Sequence, residues 1–334
     1  MIEFIFTIDY EIYGNGEGSL KELVYEPTRK LKDMFDRAGA KIVVFVEAAE
    51  LEKIEATGTD STINNVKRQV QEMHNQGHEI ALHLHPPWYN ARYQHGKWEL
   101  DYSEYNLCKM SKERVAEIVD GAIMYLRTIL AARDFTPLAF RAGNWLLQPT
   151  LNTAKVLSDR DIKIDSSVFK GGLQHQHKLD YRRALKNGYF WKFQDDINTP
   201  DTNGSLLEIP IYTRIVPFWK MATRKRIGMR QKGPASTHIL KHRLYRLQDM
   251  ARFWHPMKLD FCRMTINELT HMVDTVIKED EQDPTSFKPL VTIGHTKDLI
   301  DFETVESILS YLDQKGIKVS TFGEVYNKCA AACY

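Results

Sequence analysis

Apolar, largely β-branched runs recur along the 334-residue chain, and most are followed by a stretch with helical periodicity. "FIFTID" (4–9) precedes "PTRKLKDMFDRAG" (27–39), which ends at a capping candidate, Gly39, and "KIVVFVE" (41–47) comes next. A helix over about 61–76 closed by Gly77, the strand "HEIALHLH" (78–85) and a long helix capped by Ser111 continue the alternation. "LAFRAG" (138–143), a helix after Pro149 and "IKIDSS" (162–167) follow. The second half is less regular: extended "SLLEIPIYTRIV" (205–216), a helix near 237–253, and another opened by a Thr265/Glu268 capping box. "PLVTIGH" (289–295), a helix over about 302–315, "IKVSTF" (317–322) and a short terminal helix end the chain. Seven or eight strands separated by helices predict an α/β fold with a parallel barrel or wound sheet.

The length leaves one or two domains open. Two stretches break the rhythm, both too long to be simple connections. Residues 86–110 hold Trp88, Tyr89, Tyr93, Trp98, Tyr102 and Tyr105 in polar sequence, and residues 168–205 hold His175, His177 and Trp191. The two histidines lack apolar neighbours and read as solvated.

Parallel α/β proteins build sites where strands end and loops begin. Unusual polar residues fall at those places here: Asp9 and Glu11 on the first strand, His83 and His85 on the third, then Arg141, Asp165 and His295. Residues two apart on a strand share a face, so each pair points one way, and an inward face makes the pairs converge. Two imidazoles and a carboxylate with open positions suit a catalytic divalent metal, zinc first, with cobalt, nickel, iron or manganese as alternatives. Pro86 and Pro87 then release the chain from the ladder. Arg141 lies between apolar residues and needs a buried anion, for which Asp9 is the natural partner. Asp165 has two readings, capping the next turn or facing substrate.

Lys plus Arg number 45 against 44 Asp plus Glu, a net charge of +1, which removes a global electrostatic case for nucleic acid. One stretch departs from this balance: 220–252 is strongly basic and opposed only by Asp249. A solvated helical face is the ordinary explanation, and peripheral contact with anionic lipid or a carrier-linked diphosphate is the functional one. Cys108, Cys262, Cys329 and Cys333 lack metal spacing and read as reduced thiols. The first residues read as a strand and not as a signal peptide, and no apolar run reaches a membrane span, so a cytoplasmic protein, with peripheral contact at the inner face of the membrane, is expected.

In order along the chain, "FTIDYE", "GHEIALHLH", "FRAGNW", "IKIDSSVF" and "VTIGH" resemble the five motifs of the polysaccharide deacetylases of the NodB-homology class. The resemblance covers about residues 2–325. It implies a distorted (β/α) barrel of about seven strands, a single domain over 1–334 with insertions at about 86–110 and 168–252, and metal-dependent removal of N- or O-acetyl groups from a sugar. Carried over, Asp9 matches the base, Glu11 the metal carboxylate, His83 and His85 the metal histidines, Arg141 the group orienting the base, and His295 the acid. Trp88, Trp98, Asn144, Trp145 and Asp165 are the expected substrate-side residues. The "HLHP" form resembles a branch tied to surface polysaccharides such as O-antigen. Four features differ from the family pattern: Tyr10 separates the two acids, Pro87 stands where the second histidine is usual, the third motif lacks its proline, and the fourth lacks its second aspartate and tryptophan. Whether Asp9 or Glu11 ligates stays open. Two other readings compete: a different metal-dependent amidohydrolase, and a barrel that binds carbohydrate without turnover.

Overall fold

A computed structural model describes residues 1–184, 189–221, 223, 225 and 252–333. Its centre is a curled sheet of β1 (Ile2–Tyr10), β2 (Val43–Glu47), β3 (Glu79–Leu84), β4 (Ala139–Ala142), β5 (Ile164–Asp165), β6 (Trp191–Phe193), β7 (Leu206–Glu208) and β8 (Lys288–His295). These run in the order β6-β7-β5-β4-β3-β2-β1-β8, and a short β9 (Lys318–Val319) pairs with the start of β1. All neighbours are parallel except β6 with β7. Single-residue bridges span the remaining gap: Ile211 joins Phe169 to Val291, and Asp260 meets Ile293. The result is a distorted barrel wrapped by helices.

Alternation along the strands sorts the residues. On β1, Phe4, Phe6, Ile8 and Tyr10 face the outer helices, whereas Ile5 joins Val43, Phe45, Ala81, Ala139, Ile164, Leu207 and Val291 inside. The amino end of the barrel is plugged by the last helix (Phe322–Ala332), whose Phe322, Val325 and Cys329 pack into that inner cluster. Glu3 of β1 holds Ser320 and Lys328 there, and Glu79 of β3 accepts the Gly323 N–H at 2.8 Å. With one end closed by this helix, the buried acids and histidines of the sequence motifs gather at the carboxyl end.

Most expected elements are present within a few residues of their expected bounds, including the Ser111 cap and the Thr265/Glu268 capping box. Strands β6 and β7 come from inside the stretch 168–252, so part of that stretch belongs to the sheet. The helix expected near 237–253 falls almost wholly outside the described residues, and Trp254–Lys258 is a strand paired with Thr213–Pro217. One helix, Ala48–Thr57, has no counterpart in the expectation. It starts on the strand's last residue, the Glu47 carboxylate accepting the Ala49 N–H at 3.2 Å, so no loop announces it.

His78 opens the third strand region with its Nδ1 accepting the Ile42 N–H at 3.2 Å and its Nε2 3.3 Å from Asp36. Burial pushes its pKa down from 6.5 to about 4 against the pull of Asp36. The folded state thus keeps His78 neutral where the unfolded chain protonates it. Stability from this group is complete above about pH 6.5 and is lost as pH falls towards about 4. His78→Asn keeps an acceptor for Ile42 and removes the titration, so melting temperature between pH 7 and 5 should fall less steeply in the variant. Parallel profiles would contradict this.

Candidate metal and catalytic centre

Five strand ends and the turns after them build the centre. Register places Asp9 beside His295, Glu47 beside His83, and His83 beside Arg141, so adjacent strands deliver one polar layer. Asp9, Glu11, Glu47, His83, Arg141 and His295 are all buried, and His85 stands at the rim.

Each guanidinium nitrogen of Arg141 has a partner. Its Nη1 donates to Asp9 Oδ1 at 2.6 Å, Nη2 to Thr7 Oγ1 at 2.9 Å, and Nε to the Ser166 carbonyl at 2.9 Å. The guanidinium also lies 4.0 Å from the Phe45 ring centroid. Burial would raise the Asp9 carboxyl, but Arg141, helped by His83 and His295, holds it below its ordinary value. Asp9 is therefore an anion with one oxygen fixed and the other, Oδ2, directed at His83 (3.9 Å) and His295 (3.4 Å).

Glu11 shows the same division of labour. Burial opposes its charge, yet Lys297 and His85 keep the carboxyl well below the usual range. Lys297 Nζ donates to Oε1 at 2.7 Å, while Oε2 lies 3.0 Å from His85 Nε2 and 3.6 Å from His83 Nε2. His83 Nδ1 sits 2.8 Å from the Arg141 carbonyl, which fixes that nitrogen as the donor. Its Nε2 is buried with no hydrogen-bond partner and faces the carboxylates. Burial lowers the His83 pKa, but Asp9, Glu11 and Glu47 outweigh it and lift the group to about 9. An orphaned imidazole nitrogen among surplus negative charge is what a divalent cation needs.

The donor atoms of Glu11, Glu47, His83 and His85 lie within 4.8 Å of one another, as do those of Asp9, Glu11 and His295. All are nitrogen or oxygen, so the set fits zinc and its first-row neighbours. The expected residues Asp9, Glu11, His83, His85, Arg141 and His295 are thus brought together. Glu47 was not anticipated. It ends an apolar strand as Asp9 and His83 do, and that placement in "KIVVFVE" was the available signal. Burial raises its carboxyl to about 7, against the nearby histidines, and it accepts the His85 N–H. Lys297, two residues after His295, also went unread.

His295 is pushed down to about 4 by burial, although Asp9 opposes the shift, so the ring is neutral near pH 7. Trp145 lies edge-on to it, with centroids 6.3 Å apart. Asn144 and Trp145 both hold positive φ, 53° and 61°, a conformation costly for tryptophan at about 1–3 kcal/mol. Tyr181 offsets it, its hydroxyl donating to the Trp145 carbonyl at 2.6 Å and accepting the Leu147 N–H at 3.1 Å. One Trp145 face is covered by Lys258, whose Nζ is 3.1 Å from the ring centroid. Asn144 Nδ2 is 3.3 Å from His85 Nδ1.

Two expected substrate-side residues need correction. Trp88 is 1 % exposed within the core, packed on Trp98, so it has no open face for a sugar. Asp165 is wholly buried on the strand face opposite Ser166, where it accepts from Ser167 N–H and Oγ and pairs with Glu208. Its turn-capping reading is the one the geometry fits. Trp98 is half-buried against the loop after β1, over Gly16 and Tyr93. The aromatic loop 86–110 packs along the segment after β4, with Asn106 donating to the Gln148 carbonyl, and so lies at the carboxyl end with the centre.

No family model matches the sequence, and no curated protein does. Several solved structures share the fold. A protein from Mycobacterium smegmatis assigned as a polysaccharide deacetylase superposes with TM-score 0.55 at 12% identity, over 99% of this chain and 91% of its own. An allantoinase gives 0.52 at 12% identity over 100% and 92%. The 4-α-glucanotransferase of Thermococcus litoralis gives 0.54 at 13% identity over 98% of this chain and 38% of that one. The curled, mostly parallel sheet is the distorted barrel of the polysaccharide-deacetylase type.

Gly143 supplies a test of how the centre is held. A Cβ there would lie 2.5 Å from the Leu84 carbonyl oxygen and 2.9 Å from the His85 ring. Gly143→Ala should therefore lower stability by about 1–3 kcal/mol, as overpacking does, and move His85 off the cluster. Thermal melting and cobalt titration monitored by absorbance measure the two effects, and an unchanged cobalt spectrum would reject the contact.

Proposed function

We propose that this chain is a metal-dependent deacetylase acting on an acetylated sugar. One observation carries the reading: the buried, partnerless Nε2 of His83 faces Glu11 and Asp9. Fold likeness supports it without deciding it, because the three neighbours above bear three different activity names. The chemistry has to come from the residues.

His83, His85 and Glu11 would hold the ion, with Glu47 the nearest further oxygen donor. Such an ion polarises the acyl carbonyl and brings the pKa of a bound water to about 7. Asp9, kept ionised by Arg141, accepts the proton of the attacking water at Oδ2. His295 Nε2 stands 3.4 Å from that oxygen and, neutral at rest, is free to take the proton up from Asp9 and deliver it to the departing sugar nitrogen. Arg141 acts by fixing the base and does not touch substrate. A carbohydrate-binding barrel without turnover has no use for this base and acid pair set 3.4 Å apart. We further propose zinc as the ion and a surface polysaccharide or its precursor as the source of the acetylated sugar.

Ligands and proton-transfer groups fail differently when removed. His83→Ala and His85→Ala should lose bound metal and acetate release together. Asp9→Asn should keep the ion while turnover at saturating metal falls by about 10²–10⁴-fold, and His295→Ala should follow it. Glu11→Gln should weaken metal binding; if Asp9 ligates instead, the two phenotypes exchange. Metal analysis combined with acetate release from N-acetylated sugars, sugar nucleotides and lipid-linked oligosaccharides reads each case. Full activity in metal-free protein, or in both histidine variants, would remove the metallohydrolase reading.

A further inference from the structure

Three cations at the carboxyl end of the barrel are paired with acids: Arg141 with Asp9, Lys297 with Glu11, and Arg263 with Asp298. Lys258 differs from them. Among the described residues its Nζ has neither an ion pair nor a hydrogen bond, and it lies instead against two rings, 3.1 Å from the Trp145 centroid and 4.7 Å from that of Phe169. Those rings meet edge to face at 5.4 Å and form two walls of a cradle. Asp260, the acid that acts on Lys258 most strongly, has its Oδ1 taken up by the Cys262 and Arg263 N–H groups at 3.0 Å each.

The kind of partner decides what such a cation can do. An acid cancels the charge of a lysine, whereas a π face stabilises an ammonium and carries no net charge of its own. Lys258 is therefore half-buried with its charge uncancelled. A lysine that only packs carries its ammonium out to water on a flexible stem; this one is turned over an indole. Burial brings its pKa down from 10.5 to about 7 against the pull of Asp260, so an anion arriving there would stabilise the ammonium form.

Position ties the cradle to the chemistry. The two residues after Lys258 are bonded to the last strand of the barrel: the Leu259 carbonyl accepts the Ile293 N–H at 2.9 Å, and Asp260 bridges to Ile293, two residues before His295. Trp145, the ring beneath Lys258, is edge-on to His295, and Asp9 and Arg141 both act on the Lys258 charge through the interior. The ammonium is thus fixed one indole ring away from the proposed acid. The basic stretch 220–252, the other cationic feature of the chain, lies almost wholly outside the described residues.

We propose that Lys258, in its cradle of Trp145 and Phe169, recognises a negatively charged substituent of the substrate, so that the sugar deacetylated here is an anionic one bearing a carboxylate or a phosphate. The acetyl group and the sugar in this statement rest on the deacetylase reading above. A sugar whose acetamide nitrogen is at His295 sets its other substituents around the neighbouring Trp145 ring, within reach of the ammonium. Lysine acts as a point charge without the planar fork of arginine, so carboxylate and phosphate both satisfy it.

The test uses the full chain loaded with zinc and three probes: N-acetylglucosamine, its anomeric phosphate and its uronic acid. Binding is followed by tryptophan emission and turnover by acetate release. Wild type should favour a charged probe over the neutral one by about tenfold or more, in affinity and in KM more than in kcat. Preference for the phosphate assigns a phosphate-linked sugar, and preference for the uronic acid a carboxylated one. Lys258→Met should bring the preference close to unity, and Lys258→Arg should keep most of it. A packing role alone would instead lower the melting temperature and weaken all three probes alike. Equal or absent response to the three probes in wild type, or an unchanged preference in Lys258→Met, would overturn the proposal. Failure of the deacetylase reading looks different: no probe releases acetate, while the emission titration still reads the charge preference and its dependence on Lys258.

Discussion

The ion pair between Arg141 and Asp9 is the contact on which the centre is built. Two charges out of water are affordable only when geometry and further hydrogen bonds answer both of them. Here Arg141 meets Asp9 and Thr7 of β1 and the Ser166 carbonyl next to β5, while sitting on β4 itself. The contact therefore runs across the barrel interior between strands that are not neighbours. Removing either partner leaves a lone buried charge, at a cost of about 3–5 kcal/mol, so the tie between β4 and β1 and the ionised state of Asp9 come from one interaction.

From that pair the remaining electrostatics follow. Asp9, Glu11 and Glu47 crowd the carboxyl end, and among the described Lys and Arg side chains it is Arg141 and Lys297 that contact them. The imbalance appears as the raised pKa of His83, whereas Glu47 is raised to about 7 by burial in spite of the histidines beside it. Burial contributes throughout by keeping water from screening the charges. The amino end shows the contrast: Glu3 and Glu79 are taken up by Ser320, Lys328 and the last helix. There the carboxylates anchor a plug; at the other end, nitrogen and oxygen lone pairs remain directed at a common point.

Much of this was legible because a strand's period of two is unforgiving. Once "FTIDYE" and "HLH" are strand ends, Asp9 with Glu11 and His83 with His85 share a face, and an apolar strand gives that face only the interior. Arg141 was legible as a buried cation that required an anion. What the pattern hid has physical reasons. Glu47 is both the last residue of a strand and the cap of the helix that follows, so it read as the end of an element. Trp88 follows the second motif and Asp165 lies in the fourth, but alternation turns Asp165 to the helix side, and the turn at Pro86 and Pro87 carries Trp88 into the core. Sequence locates motifs by spacing; the direction in which a side chain leaves a turn depends on packing that spacing does not encode.

The two-residue spacing of His83 and His85 has a structural answer in Gly143. A histidine two residues along the same strand would ordinarily point from the next pleat, about 6–7 Å further on. His85 lies just past the strand's end, its backbone N–H held by Glu47 and its ring packed where a Cβ on Gly143 would be. That draws the imidazole back over the barrel mouth, to 4.9 Å from His83 and 3.0 Å from Glu11. Two features thus compensate for one another: the short histidine spacing needs the glycine, and the glycine directly follows the strand that carries Arg141. The strained backbone at Asn144 and Trp145 follows directly, because the chain must turn away from His85 at once. The position of His85 and the turn that shapes the mouth are thus coupled through one three-residue segment, Gly143–Trp145.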